Sequence, residues 1–123
     1  KRWGRIGDSP VIGAGTYADN NSCAVSCTGH GEYFIRHAVA FDVCARYKYL
    51  KESVEKAADY IIHTELNTNA GNGGLIAVDK LGNIAMPYSS GVMFRGFLYK
   101  EKGSPEIKKG CGIGKKIVVV GEK

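Results

Sequence analysis

A chain of 123 residues with 44% hydrophobic and 24% charged side chains has the composition of one globular domain, and this excludes a disordered segment of low hydrophobicity and high charge. The net charge of +5 is uneven: residues 99–123 hold seven Lys and three Glu, or +4, leaving +1 for the remainder. The basicity therefore belongs to a solvated tail with no aromatic interleaving beyond Tyr99, which argues against a nucleic-acid binder. No apolar run is long enough to span a membrane, and the opening residues lack a signal-peptide pattern. The start at Lys1-Arg2-Trp3 without methionine reads as a processed product or a fragment.

Residues 4–21 are rich in Gly, Pro, Asp and Asn, which predicts irregular backbone around a short Val11-Ile12 segment. Ser22 to Cys27 is small and apolar enough for a buried strand, broken by Thr28-Gly29-His30-Gly31. A largely buried helix is expected over 32–47, where Phe34, Ile35, Ala38, Val39, Phe41, Val43 and Ala45 make it apolar round much of its circumference. A second helix begins at Ser53 as N-cap, with Val54, Ala57, Ala58, Ile61 and Ile62 on one face.

After the polar, glycine-rich run 67–74, residues 75–79 and 84–88 read as a β-hairpin around Lys80-Leu81-Gly82-Asn83. A strand follows at Met93 to Tyr99. Beyond it, Gly103, Pro105, Gly110, Gly112 and Gly114 interrupt any regular pattern, and 116–120 could form a strand or stay unpaired. The expected division is a domain at 1–98 and a basic, glycine-rich tail at 99–123. Cys23 and Cys27 lie too far apart along one strand to be bridged, so Cys23, Cys27, Cys44 and Cys111 are expected as free thiols in a reducing compartment.

The turn Thr28-Gly29-His30-Gly31 joins a strand end to a helix start, where unpaired N–H groups converge and glycine admits close approach of an anionic group. The Thr28 hydroxyl could join those amides in donating to a developing oxyanion. Upstream, Gly4-Arg5-Ile6-Gly7-Asp8-Ser9-Pro10 sets an arginine and an aspartate three residues apart in irregular backbone. Arg5 can grip a carboxylate and Asp8 can accept from an ammonium, together recognising a zwitterion. The plainer alternative is that the two pair with each other. His37 and His63 fall on helix surfaces, and no cluster suggests a metal.

These segments, with Gly13-Ala14-Gly15-Thr16-Tyr17-Ala18, Cys27-Thr28-Gly29-His30-Gly31-Glu32, Gly73-Gly74-Leu75-Ile76-Ala77-Val78-Asp79, Gly82-Asn83, Met86-Pro87 and Met93-Phe94-Arg95, occur in an order and spacing that resembles a known family. It is the β-subunit of plant-type L-asparaginases and isoaspartyl (β-aspartyl) peptidases, threonine-type N-terminal-nucleophile hydrolases. The resemblance covers about four fifths of the chain. It implies an α+β fold, part of a four-layer αββα sandwich, made by a precursor that cleaves itself to free a nucleophilic threonine whose own α-amine is the base. It further implies that Arg5 binds the substrate α-carboxylate and Asp8 its α-ammonium. Thr28 and Gly29 would form the oxyanion hole, the Gly31 amide would help to hold the substrate, and backbone of Ile6, Gly7 and His30 would line the pocket.

The implied substrates are L-asparagine and β-aspartyl dipeptides; no cofactor or metal site is expected in this chain, and its expected location is the cytoplasm. The implied partner is the α-subunit of the same precursor, in an (αβ)2 assembly, with no nucleic acid and no membrane. Thr16, Thr64 and Thr68 are internal and match no nucleophile, so the chain alone is expected to be inactive. The stretch Pro87-Tyr88-Ser89-Ser90-Gly91-Val92-Met93 departs from the wording common in the family, and the tail after Tyr99 matches none of it. Two alternatives share the pocket: a glycosylasparaginase-type hydrolase of the same fold, and a truncated, non-catalytic binding paralogue.

Overall fold

The computed structural model describes residues 3–100, 102–104, 107–114 and 116–121. Two compact units meet in sequence between Ser90 and Gly91. The first carries β1 (Thr16–Ala18), β2 (Cys23–Gly29), α1 (Gly31–Arg36), α2 (Val39–Ala45), α3 (Val54–Tyr60), β3 (Gly73–Asp79) and β4 (Ile84–Ala85). Wider π-helical turns extend α2 through Arg46–Leu50 and α3 through Ile61–Leu66. The four strands form an antiparallel sheet in the order β1-β2-β3-β4, so β2 and β3 are central.

The sheet is two-faced because β2 alternates. Cys23, Val25 and Cys27 are buried, while Ala24, Ser26 and Thr28 are exposed. On β3, Leu75 and Ala77 join the buried side, whereas Ile76 and Val78 point the other way and are nearly half exposed. The helices cover the first face with Phe34, Val39, Val43, Val54, Ile61, Ile62 and Leu66, each at most 1% exposed. Burying each such side chain contributes roughly 1.5–3 kcal/mol. The buried strand expected from Ser22 to Cys27 is thus buried on one face only, and the unit is a helical layer on one face of a sheet, consistent with the α+β expectation.

The long helix expected over 32–47 is broken. Ala38 sits in the left-handed region at φ 46°, and α2 starts anew beyond it. The cause is tertiary: the N–H groups of Ala40 and Phe41, in the first turn of α2, donate to the carbonyls of Ala14 and Gly13 at 3.0 and 2.8 Å. Those donors would have bonded within an unbroken helix. The start of α3 follows the sequence, with the Ser53 hydroxyl accepting from the Lys56 N–H at 3.2 Å.

The hairpin is present and longer than its strands suggest. Beyond β4, Leu75 N–H donates to the Pro87 carbonyl at 3.1 Å and Ser89 N–H to the Gly73 carbonyl at 2.7 Å. Asp79 organises the turn, its carboxylate accepting from the Leu81 and Asn83 N–H groups and the Asn83 side-chain amide at 2.8–2.9 Å.

The cysteine expectation is corrected. Cys23 on β2 and Cys44 on α2 form a disulfide with Cα atoms 5.5 Å apart, while Cys27 and Cys111 are free. Cys23 and Cys27 are indeed not bridged to each other. Spacing along the strand does not show that α2 lies over β2 and brings in a partner 21 positions away. This removes the support that four free thiols lent to a reducing compartment.

The second unit is a three-stranded antiparallel sheet of β5 (Phe94–Lys100), β6 (Ile107–Ile113) and β7 (Lys116–Gly121), in that order. The strand expected over Met93 to Tyr99 is found, but the glycine-rich tail is more regular than its composition suggests. Gly110 faces Phe97 and Gly112 faces Arg95 across the ladder, where a missing side chain leaves room for a large one opposite. No helix among the described residues is long and apolar enough to cross a membrane.

Candidate active site

The candidate site lies where β2 ends. Thr28 is exposed on the face of the sheet away from the helices and pairs with Gly74, and Gly29 pairs with Gly73. Gly29 has φ +152°, rarely adopted by an L side chain, and the strands are crowded there: a methyl on Gly29 would come 2.7 Å from the Gly73 Cα and 2.8 Å from the Phe34 ring. Glycine at both positions lets β2 and β3 close over Phe34. The His30 N–H is used in the same closure, donating to the Asn72 carbonyl at 2.9 Å, and its ring tilts toward Tyr33 with centroids 6.2 Å apart.

Gly31 opens α1. This helix has only six residues, so the contribution of its dipole to anion binding is smaller than a long helix would give. What Gly31 supplies is proximity. A methyl there would come 2.9 Å from both the backbone nitrogen and Oδ1 of Asp8, and 3.3 Å from the Gly7 Cα. The loop carrying Gly7 and Asp8 thus lies directly on the turn after β2, as a shared pocket for these two segments requires.

Asp8 is 4% exposed and its Oδ2 is buried without a hydrogen-bond partner. No ion pair joins it to Arg5, which is exposed, so the two charges do not neutralise each other. Leaving a buried carboxylate oxygen unsatisfied is costly, and a ligand donor placed there would relieve that cost. Ile6 is 69% exposed and Gly7 half buried, so the segment leading to Asp8 reaches the surface.

Beneath this loop lies Cys27, whose thiol is pushed up to about 12 by burial and, secondarily, by the charge of Asp8. At neutral pH it is a protonated thiol and a poor nucleophile. Its backbone N–H donates to the Gly15 carbonyl at 2.8 Å, so the 13–15 segment bridges Asp8 and the strand carrying Thr28. Sequence reading quoted Gly15 and Gly73 only as parts of motifs. Their crowding in space has no local signal beyond the residue type.

His63 is exposed on its helix, as expected, and His37 is partly so. His63 contacts Asp59 at 2.9 Å and the Tyr88 carbonyl at 3.2 Å, and His37 lies 3.7 Å from Glu65. Among the described residues no three His, Cys, Asp or Glu side chains gather to hold a metal ion. Surface hollows lined by Asp19, Ser22, Asp79 and Lys80 lie at the Cys23 end of β2, the opposite end from Thr28.

A family model described as asparaginase matches residues 1–107. The chain is similar to the isoaspartyl peptidase of Salmonella typhimurium, 49% identical over 96 residues covering 78% of this chain and 31% of that protein. It is 44% identical to the isoaspartyl peptidase of Escherichia coli over 110 residues, covering 81% and 34%. It is 42% identical to the human isoaspartyl peptidase/L-asparaginase over 90 residues, covering 73% and 29%. The chain spans about a third of the length of the curated relatives it matches. With the family match running over most of its residues, the chain belongs to the asparaginase family.

Proposed function

We propose that this chain is the substrate-binding part of an enzyme that hydrolyses the side-chain amide of L-asparagine or a β-aspartyl peptide bond. The observation that carries this reading is the buried, unpartnered Oδ2 of Asp8, a residue whose Oδ1 and backbone nitrogen lie against Gly31. An aspartyl substrate presents an α-ammonium, an α-carboxylate and a reacting β-carbonyl within a few bonds. In this reading the ammonium donates to Asp8 and the carboxylate is gripped by the Arg5 fork. Backbone of Ile6, Gly7 and His30 lines the pocket, and the Gly31 amide helps to hold the ligand. The β-carbonyl then lies at the end of β2, over Thr28 and Gly29.

The reaction is acyl transfer. A threonine hydroxyl attacks the β-carbonyl while its own α-amine takes the proton. The carbonyl oxygen becomes an oxyanion to which the Thr28 hydroxyl and the Gly29 amide donate. Collapse expels ammonia or the peptide amine, which leaves with the proton. Water then attacks the acyl-enzyme ester and releases aspartate. None of Thr16, Thr28, Thr64 and Thr68 matches that nucleophile, so it is assigned to the α/β precursor outside these 123 residues.

The same reading gives the exposed sheet face, with Ile76 and Val78, a second sheet as its cover, completing a four-layer αββα sandwich with the α-subunit in an (αβ)2 assembly. The test is ammonia release from L-asparagine and amine release from a β-aspartyl dipeptide. The intact enzyme is expected to catalyse at least one and the 123-residue chain neither. Ammonia release from asparagine by the isolated chain would overturn the assignment of the nucleophile.

A further inference from the structure

Gly15 lies against the backbone of Asp8, and it can do so because it lacks a side chain. A methyl on Gly15 would overlap the carbonyl carbon and oxygen of Asp8 and come 2.7 Å from the Ser9 Cα. These are backbone atoms, which cannot turn aside as the end of a side chain can. The overlap is purely steric, because Gly15, unlike Gly13 at φ +89°, is not among the glycines with positive φ. Gly15 is also held on both sides. Its N–H donates to the Val11 carbonyl at 3.1 Å, Val11 N–H donates to the Asp8 carbonyl at 2.8 Å, and the Gly15 carbonyl accepts from Cys27 N–H at 2.8 Å. A side chain at Gly15 therefore has to displace Asp8, since moving Gly15 would break its bond to the strand that bears Thr28.

We propose that Gly15 is a positioning residue for the Asp8 carboxylate, and that the preference of the pocket for an α-amino dicarboxylate over the same dicarboxylate without its amine depends on it. The proposal rests on the reading that Asp8 receives the substrate ammonium. Gly13 supplies the contrast: it lies in the same loop, but a methyl there would meet only the Phe41 Cβ, at 3.8 Å. Gly13→Ala strains the loop backbone without pushing on Asp8, whereas Gly15→Ala pushes on Asp8 without requiring an unfavourable φ.

The test is calorimetric titration of the intact protein with L-aspartate and with succinate, which lacks the amine. Wild type should prefer L-aspartate, and Asp8→Asn should abolish the preference. Gly15→Ala should weaken L-aspartate by about tenfold or more, the loss of one charge-assisted hydrogen bond, while succinate changes little. Gly13→Ala should keep the wild-type ratio. Should Gly15→Ala fail to fold, Gly31→Ala, whose methyl meets the Asp8 carboxylate itself, should show the same selective loss.

An unchanged ratio in Gly15→Ala, or in Gly31→Ala where that variant stands in, would overturn the proposal if Asp8→Asn abolishes the preference. Equal weakening of both ligands would overturn it as well, by showing a merely structural role. No preference in wild type, or one that survives Asp8→Asn, would overturn the reading of Asp8 and this proposal with it.

Discussion

Gly31 stands so close to Asp8 that a methyl group on it would come 2.9 Å from both the backbone nitrogen and Oδ1 of that aspartate. The turn after a central strand and a loop near the start of the chain therefore share one small volume. In that volume a buried carboxylate oxygen lacks a partner.

In the intact enzyme, Thr28 and Arg5 should fail in different ways. In its proposed role Thr28 donates to charge that exists only in the transition state, so in Thr28→Ala kcat should fall by about 10²–10³ with a smaller change in KM. In its proposed role Arg5 holds a carboxylate present in ground and transition state alike, so Arg5→Ala should cost on the order of 2–5 kcal/mol, mainly in KM. Steady-state kinetics on L-asparagine and a β-aspartyl dipeptide check both; a KM effect alone for Thr28→Ala and a kcat effect alone for Arg5→Ala would exchange their roles.

Phe34 underlies the Gly29–Gly73 pair and is fully buried. Phe34→Ala should destabilise the first unit by about 3–5 kcal/mol through lost burial and the cavity left behind. Urea unfolding followed by circular dichroism measures this, and a loss below about 1 kcal/mol would mean that the helix layer is not packed as described.

Thiol counting separates the cysteines. Denatured but unreduced protein should show two reactive thiols, Cys27 and Cys111, and four after reduction. In the native state Cys111, which is exposed, should be alkylated well before Cys27, whose thiol lies near 12. Reducing the Cys23–Cys44 link, with 21 positions between its ends, should lower stability by about 3 kcal/mol on the chain-entropy estimate. Four thiols without reductant would contradict the pairing.

Asp79 predicts an acid-side loss of stability. Burial pushes its carboxyl up, but hydrogen bonds from the Asn83 side chain and from the Asn83, Leu81 and Gly82 backbone outweigh this and hold it below the ordinary 3.8. A carboxyl depressed in the folded state contributes stability above its unfolded value, and that stability is lost as pH falls through the folded one. Wild type should therefore lose this contribution from near pH 3.8 downward. Asp79→Asn, less stable at neutral pH, should show a shallower decline over the same window in thermal melts.

Much of this arrangement is legible in the chain where the cause is local. Ser53 signals a helix start because its hydroxyl can satisfy a first-turn amide, and Gly82-Asn83 signals a turn because little else bends there. The break at Ala38 has no such mark: alanine favours helix, and only the carbonyls of Gly13 and Ala14 draw the Ala40 and Phe41 amides away. Cys44 is likewise mute until α2 is laid over Cys23. Gly110 and Gly112 read as breakers, yet opposite Phe97 and Arg95 they accommodate a strand. For the candidate site, residue types in Arg5, Asp8 and Thr28-Gly29-His30-Gly31 suggest the chemistry and the family resemblance implies one shared pocket, while the crowding of Gly15 against the Asp8 backbone has no mark in the sequence.

The most direct measurement is a crystal structure of the intact protein soaked with L-aspartate, the product of the proposed hydrolysis. The account predicts the α-ammonium within hydrogen-bond distance of Asp8 Oδ2, the α-carboxylate on the Arg5 guanidinium, and the β-carboxylate facing Thr28 and Gly29. L-Aspartate bound elsewhere, with Asp8 Oδ2 still unpartnered and Arg5 turned to solvent on another face, would contradict it.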